Sequence, residues 1–96
     1  MAIRSIRHRG LRRLWERDDQ RAVPAETAAK LRRMMAAIHR SSAPDKLAAA
    51  ALPGWRMHAL KGEFAGYWSL SVTGNWRLIV RFEEGDAFDL DLVDYH

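Results

Sequence analysis

Residues 67–96 read YWSLSVTGNWRLIVRFEEGDAFDLDLVDYH, and this stretch decides the fold. Apolar side chains recur at every second position in three successive segments, which is the period of a strand with one buried face. The polar runs TGN and EEG separate the segments and are typical of tight turns. The pattern therefore predicts an antiparallel meander with one apolar face. Its inward positions are Trp68, Leu70 and Val72, then Trp76, Leu78, Val80 and Phe82, then Phe88, Leu90 and Leu92.

The EEG turn predicts how the last two strands pair. A three-residue loop places Phe82 opposite Asp86, so that the apolar residues of both strands share one face. A two-residue loop would set Arg81 opposite Phe88, and we reject it because it mixes charged and apolar positions on one face. The predicted partners are therefore Val80 with Phe88, Leu78 with Leu90, and Trp76 with Leu92.

The TGN turn predicts the pairing on the other side of the central strand. A three-residue loop places Val72 opposite Trp76. On the polar face, Arg77 then lies between Ser71 on one neighbouring strand and Asp91 on the other. This polar face is expected to be open, because it carries too many charged side chains to be covered by a core.

Two helices are predicted before the sheet, because residues 10–18 and 24–39 carry apolar side chains at helical spacing. Residues 55–60 predict a further strand, and residues 3–8 a weaker one. The chain is thus expected to be a single α+β domain over residues 1–96. Two N-terminal helices pack on one face of a twisted, mainly antiparallel sheet. The helical apolar positions are Leu11, Leu14 and Trp15, then Ala28, Leu31, Met34, Met35 and Ile38.

The charge of the chain is unevenly distributed. Sixteen Lys and Arg against twelve Asp and Glu give a net charge of +4 and a pI near 10.1. Residues 1–40 carry eleven basic and four acidic side chains, whereas residues 83–96 carry six acids and no Lys or Arg. The basic body predicts a polyanionic partner such as nucleic acid. The alternative is a basic surface that is merely solvated.

Several function classes are excluded by what the composition lacks. The absence of cysteine rules out disulfides, thiolate zinc sites and thiol catalysis, and is compatible with a reducing cytoplasm. No apolar run is long enough to span a bilayer. The basic start MAIRSIRHRG is not followed by the apolar segment of a secretory signal.

Side chains that can transfer protons or bind phosphate fall in the second half of the chain. Because the last strand runs antiparallel to the strand that contains Arg77, its end returns to the TGN turn, with Asp94 roughly opposite Gly74. Arg77 should therefore approach the C-terminal residues. Whether His58 and Lys61 join them depends on the strand order. The candidate set is His58, Lys61, Arg77, Asp94, Tyr95 and His96.

This set suits the cleavage of RNA without a metal. The reaction needs a base for the ribose 2′-OH, cations for the charge on the transition state and an acid for the leaving 5′-oxygen. The histidines and Asp94 can transfer protons, and Tyr95 could donate one. Lys61 and Arg77 can bind the phosphate.

Each of these features also has a simpler explanation. A His-x-x-Lys pair arises often by chance, and Arg77 with Asp91 could be an ordinary cross-strand ion pair. A polar C-terminus could be frayed. A metal site built from His58, His96 and Asp94 is a further alternative, although nothing places these ligands at fixed spacing on one element.

Three motif-bearing stretches carry a family resemblance: RHRGLRRLWE at 7–16, LPGWRMHALKG at 52–62, and residues 66–96 with GNWR and a terminal Asp-Tyr-His. With them, the whole chain resembles the HigB toxins of the RelE/ParE superfamily, the toxin halves of bacterial type II toxin–antitoxin pairs. The resemblance implies a RelE-like, microbial-RNase-like fold. It also implies an endoribonuclease, or mRNA interferase, that uses no metal or other cofactor and inhibits translation by cutting mRNA in the ribosomal A site.

The resemblance also implies roles for the candidate residues. Lys61 and Arg77 are expected to bind the scissile phosphate. His58 or Asp94 is expected to assist deprotonation of the 2′-OH, and His96, positioned with Tyr95, to help the leaving group. The cations expected to bind ribosomal or messenger RNA are Arg12, Arg13, Arg17, Lys30, Arg32, Arg33 and Arg81.

The implied partners are a HigA-type helix-turn-helix antitoxin and the 30S A site with its mRNA. Operator DNA would be reached only through the antitoxin, and a cytoplasmic location without membrane contact is expected. Two alternatives remain open. One is a non-catalytic, ParE-like inhibitor of DNA gyrase, although such chains generally lack this residue set. The other is a binding module that acts only as a corepressor.

Overall fold

The computed structural model of the chain describes residues 2–94, so Met1, Tyr95 and His96 lie outside it. Within that range no helix is long and apolar enough to cross a membrane. Short 3₁₀ turns occur at Ala25–Thr27 and Gly62–Phe64. The helices are α1 (Arg9–Arg17), α2 (Ala28–Arg40) and α3 (Pro44–Ala50), and the strands are β1 (His58–Ala59), β2 (Tyr67–Ser71), β3 (Trp76–Glu83) and β4 (Asp86–Asp94).

The sheet is antiparallel with the order β1-β2-β3-β4. The residues before α1 run parallel to the outer edge of β4, where Ile3 bridges to Ala87 and Ile6 to Leu90. Two backbone N–H groups of this segment, those of Arg4 and Arg7, donate to β4 carbonyls at 2.7 Å. The predicted weak strand at 3–8 is thus a pair of isolated bridges that covers an otherwise open sheet edge.

The helices pack against the apolar face of the sheet, which confirms the predicted α+β architecture. α1 begins one residue earlier than predicted, and the imidazole Nδ1 of His8 caps it by accepting from the backbone N–H of Leu11 at 3.1 Å. α2 begins only at Ala28, because residues 25–27 form a tighter 3₁₀ turn. The largest fully buried side chains are Leu11, Leu31, Met34, Met35, Ile38, Leu47, Leu70, Leu78, Val80 and Leu90.

The predicted pairing of β2 with β3 is confirmed. Trp68 lies opposite Val80, and Ser71 lies opposite Arg77. The backbone N–H of Val72 donates to the carbonyl of Trp76 at 2.9 Å, which closes the TGN loop at the predicted length. The predicted strand at 55–60 is regular only at His58–Ala59, because Arg56 takes a left-handed conformation with φ of 49°.

The predicted three-residue turn between β3 and β4 is wrong. Glu83 lies opposite Asp86, so the loop has two residues. Glu84 (φ 50°) and Gly85 (φ 87°) both have positive φ, as a type I′ hairpin turn requires. This turn matches the twist of the strands that it joins, whereas the longer loop was inferred from the polarity pattern alone.

The pairing that the sequence argument rejected, Arg81 opposite Phe88, is the observed one. The charged and aromatic side chains are compatible as cross-strand neighbours, because the Arg81 guanidinium carbon lies 4.8 Å from the centre of the Phe88 ring in a cation–π contact. Ala87, which is fully buried, occupies the inward position that was predicted for Phe88. Phe88 therefore does not belong to the core.

A β-bulge then restores the inward positions of Leu90 and Leu92. The register shifts between Ile79 and Arg81, and Asp89 adopts a left-handed conformation with φ of 55°. Beyond the bulge Leu78 lies opposite Leu92, and the predicted pair of Leu78 with Leu90 is wrong by two residues. A bulge inserts one unpaired residue, so the inward and outward positions of β4 are exchanged across it.

Candidate active site

The polar face of the sheet carries rows of side chains that run across the strands. The middle row contains His58 of β1, Ser69 of β2, Ile79 of β3 and Asp91 of β4. Ser69 and Ile79 are only 2% exposed, although the helices lie on the other face. The centre of this face is therefore covered, and the face is less open than its sequence predicts.

His58 lies on the exposed edge strand at one end of the middle row. Its Nδ1 is 3.1 Å from the backbone carbonyl oxygen of Arg56. Because a carbonyl oxygen can only accept, Nδ1 carries the proton, and in the neutral imidazole Nε2 keeps its lone pair. This contact with the Arg56 carbonyl orients the imidazole and leaves Nε2 available on the exposed edge strand.

Arg77 lies one row closer to the TGN turn than His58. Its Nη1 donates to the carbonyl of Thr73 at 2.7 Å and lies 3.2 Å from that of Trp76, which directs the guanidinium toward the turn. Two strand spacings across the sheet and one two-residue step along it separate Arg77 from His58, or about 10 Å and about 7 Å. The guanidinium is thus directed to the side of its row that faces away from His58.

The predicted partner of Arg77 on β4 is corrected by the register. Val93, not Asp91, lies opposite Arg77, and Asp91 lies opposite Ile79. The cause is the same bulge and two-residue turn, which displace β4 relative to the predicted pairing. The hypothesis of an Arg77–Asp91 cross-strand ion pair therefore loses its basis.

Asp94 ends β4 at the same edge of the sheet as the TGN turn. The sequence predicted Asp94 roughly opposite Gly74, but it lies opposite Trp76. Cross-strand partners project to the same side of a sheet, so Asp94 follows Trp76 and Leu92 to the helix side at an exposed position. The predicted site residues Tyr95 and His96 lie outside the described residues.

Lys61 follows β1 and is exposed at the start of the 3₁₀ turn Gly62–Phe64. The backbone N–H of Leu60 donates to the carbonyl of Tyr67 at 2.9 Å, so this connection stays attached to β2. Lys61 therefore lies beyond His58 on the side away from the TGN turn. Lys61 and Arg77 therefore lie on opposite sides of His58 along the sheet.

The cations predicted to bind RNA divide into three groups in the structure. Arg12, Arg13 and Arg17 are exposed on α1, where with Arg9 and Glu16 they line a shallow cavity of about 200 Å³. Arg33 is exposed on α2. These side chains form a basic outer surface, separate from the polar face of the sheet.

Two other members of that predicted set have carboxylate partners. The Nε of Arg32 donates to Asp18 at 2.8 Å, which ties the end of α1 to α2. Arg81 donates to Asp89 at 2.9 Å and to Glu83 at 2.6 Å. The hydrogen bond from Arg81 lowers the pKa of the Asp89 carboxyl, while burial opposes the shift. Both arginines thus stabilise the fold locally.

Sequence reasoning missed Arg56. Its side chain is exposed and lines a cleft of about 280 Å³ with Lys30 and Arg77, among other residues. The signal was present in the motif Pro-Gly-Trp-Arg, where a cation follows a turn and precedes His58 by two positions. Lys30 was predicted to bind RNA from α2, and the structure brings it to the same cleft.

Comparison with known proteins identifies the family. The family described as "RelE-like toxin of type II toxin-antitoxin system HigB" matches residues 4–96. The chain is also 35% identical over 94 residues to the Endoribonuclease HigB of Proteus vulgaris, which covers 98% of this chain and 99% of that protein. The match includes the hairpin, the edge strand with His58 and the residues at the C-terminus. The chain therefore belongs to the HigB-like family of type II toxin–antitoxin toxins.

Proposed function

We propose that this chain is a ribosome-dependent endoribonuclease that cuts mRNA in the A site and so inhibits translation. The observation that carries the proposal is the 3.1 Å contact of His58 Nδ1 with the Arg56 carbonyl, which orients the imidazole and leaves Nε2 available as a base. The similarity to a protein named Endoribonuclease HigB supports the same reaction.

In the proposed reaction His58 Nε2 takes the proton of the ribose 2′-OH. The 2′-oxygen attacks phosphorus, and the bond to the 5′-oxygen breaks, leaving a 2′,3′-cyclic phosphate and a 5′-hydroxyl. Lys61 and Arg77 stabilise the charge that builds on the phosphoryl oxygens. His96 protonates the leaving oxygen, with Tyr95 as its positioning partner.

Asp94 is the second candidate for proton transfer in this proposal. Its position opposite Trp76, on the helix side of the sheet, favours His58 over Asp94 as the base for the 2′-OH. The sequence left open whether His58 or Asp94 is the base, and we now expect substitution of His58 to reduce cleavage more than substitution of Asp94.

The remaining proposed interactions use other surfaces. The exposed arginines of α1 steer the toxin onto ribosomal RNA through charge attraction, which weakens as salt is added. A HigA-type antitoxin neutralises the chain, and the pair represses its own operon, with the antitoxin making the DNA contacts. The proposed compartment is the cytoplasm, where ribosomes and mRNA are available.

The decisive experiment expresses the chain without a partner and maps the 5′ ends of cellular mRNA, with and without a block on translation. New 5′-hydroxyl ends that appear only during translation are expected. A variant with Arg21→Ala, an exposed arginine that pairs with the nearby Asp19, serves as a matched control and should cut equally well. Growth arrest without new mRNA ends would contradict the proposal and point to a non-catalytic inhibitor.

A further inference from the structure

The cleft that contains Arg56 lies between the start of α2, the turn before β1 and the TGN turn. It measures about 280 Å³ and is lined by Lys30, Gly54, Arg56, Ser71, Val72, Thr73, Gly74 and Arg77. Three of these side chains are cations, and none of the described residues that line it is acidic. A concave site of this charge selects an anion.

The backbone around Arg56 is held in an unusual conformation. Arg56 has φ of 49°, which L-residues other than Asn and Asp rarely adopt, and Gly54 has φ of 94°. Trp55 between them is 3% exposed and belongs to the core, and its carbonyl accepts from the backbone N–H of Ser71 at 2.6 Å. The buried indole thus anchors the turn and leaves the Arg56 side chain at the cleft. Strained conformations of this kind concentrate where a ligand is bound.

The cleft adjoins the candidate active site but is distinct from the position of the scissile phosphate. Arg77 belongs to both places, whereas His58 and Lys61 do not line the cleft. Arg56 precedes His58 by two positions in the segment that leads into the edge strand, and its carbonyl contacts the imidazole of His58. The cleft and the candidate base are therefore adjacent along the chain.

We propose that this cleft binds the phosphate next to the scissile one in the RNA backbone, with Arg56 and Lys30 as its cations. The inference rests on the proposed nuclease function and extends it by a second phosphate site. Arg56 also acts as a positioning residue for His58, because its carbonyl holds Nδ1. Arg56 would therefore align the RNA strand through its side chain and the imidazole of His58 through its backbone carbonyl.

The test uses Arg56→Asn, because Asn tolerates the left-handed conformation while it removes the charge. Cleavage of ribosome-bound mRNA is measured with single methylphosphonate replacements, which neutralise one phosphate at a time. Loss of one charge-assisted contact should lower kcat/KM about tenfold. In the wild type, neutralising one phosphate adjacent to the cut should lower kcat/KM by the same factor. In Arg56→Asn, the same replacement should lower kcat/KM no further.

Two controls separate this inference from a structural effect. Arg40→Ala removes an exposed arginine of α2 that does not line the cleft, and it should respond to every methylphosphonate as the wild type does. Arg56→Lys keeps the charge and should recover most of the activity. If Arg56→Asn remains as sensitive as the wild type to every replacement, the cleft does not bind backbone phosphate.

A binding measurement tests the cleft even if the chain cuts no RNA. A 2′-O-methyl oligonucleotide cannot be cleaved, because its nucleophile is blocked. The slope of log K against log salt should become shallower by about 0.7 in Arg56→Asn, as expected for one lost contact to a single strand. An unchanged slope would overturn the inference. Failure of the wild type to cut any mRNA would instead overturn the proposed function.

Discussion

The sharpest prediction concerns the His58→Asn substitution. The amide Nδ2 of Asn can replace the imidazole Nδ1 as a donor to the Arg56 carbonyl, a bond of 3.1 Å in the structure, but nothing replaces Nε2. The variant therefore keeps the local hydrogen bond and loses only the proposed base. A general base contributes about 10²–10⁴-fold, so kcat for mRNA cleavage should fall by that factor, or about 3–5 kcal/mol of transition-state stabilisation.

Stability should not follow activity in this variant. His58 is exposed on an edge strand, and surface substitutions of this kind change the free energy of unfolding by no more than about 0.5 kcal/mol. The assay is single-turnover cleavage of ribosome-bound mRNA, run beside urea denaturation. His39→Asn serves as the matched control, because His39 packs on Trp15 of α1, away from the polar face. Wild-type cleavage by His58→Asn would refute the assignment of the base.

Three further predictions address the turn, the first helix and the basic surface. Glu84→Asn places the preferred Asn-Gly pair in the type I′ turn and should stabilise the chain by about 0.5–1 kcal/mol in urea denaturation, whereas a three-residue loop would show no gain. Burial lowers the pKa of His8 below 6.5, while Asp91 opposes the shift, so the cap is present at pH above 6.5. As pH falls below that value the cap should be lost, with about 1 kcal/mol or less of stability. His8→Asn should flatten this pH dependence, and an equally steep loss of stability in the variant would exclude His8 as its source. Replacing Arg12 and Arg13 together by Gln should weaken ribosome binding at low salt and reduce its salt dependence, and binding curves equal to those of the wild type would contradict the electrostatic role of α1.

Local rules predicted the parts of the fold that neighbouring residues decide. The alternation of Trp68 and Leu70 with polar residues identified β2, and the length of the TGN loop led to the observed pairing of Ser71 with Arg77. The helical stripe of Leu31 and Ile38 likewise placed α2 against the apolar face. In each case the information lies within a few residues along the chain, because periodicity and turn length are short-range properties.

The β3–β4 register was beyond such rules. The bulge depends on Asp89, whose backbone N–H donates to the Ser5 hydroxyl at 2.8 Å and whose carboxylate accepts from that hydroxyl at 3.0 Å. It also depends on Arg81, which binds the same carboxylate. Ser5 is 84 positions away in the sequence, and a polarity pattern contains no information about that contact.

The candidate site shows the same division. Amino-acid sequence by itself determined the fold class, the basic character of the helices, and through its motifs the membership of His58, Lys61 and Arg77 in a proposed catalytic set. Only the tertiary structure decided that Val93 lies opposite Arg77, that Asp94 turns to the helix side, and that Arg56 joins Lys30 at one cleft. The physical reason is that a residue type specifies what a side chain can do, whereas its neighbours across the sheet depend on turns, bulges and packing between distant segments.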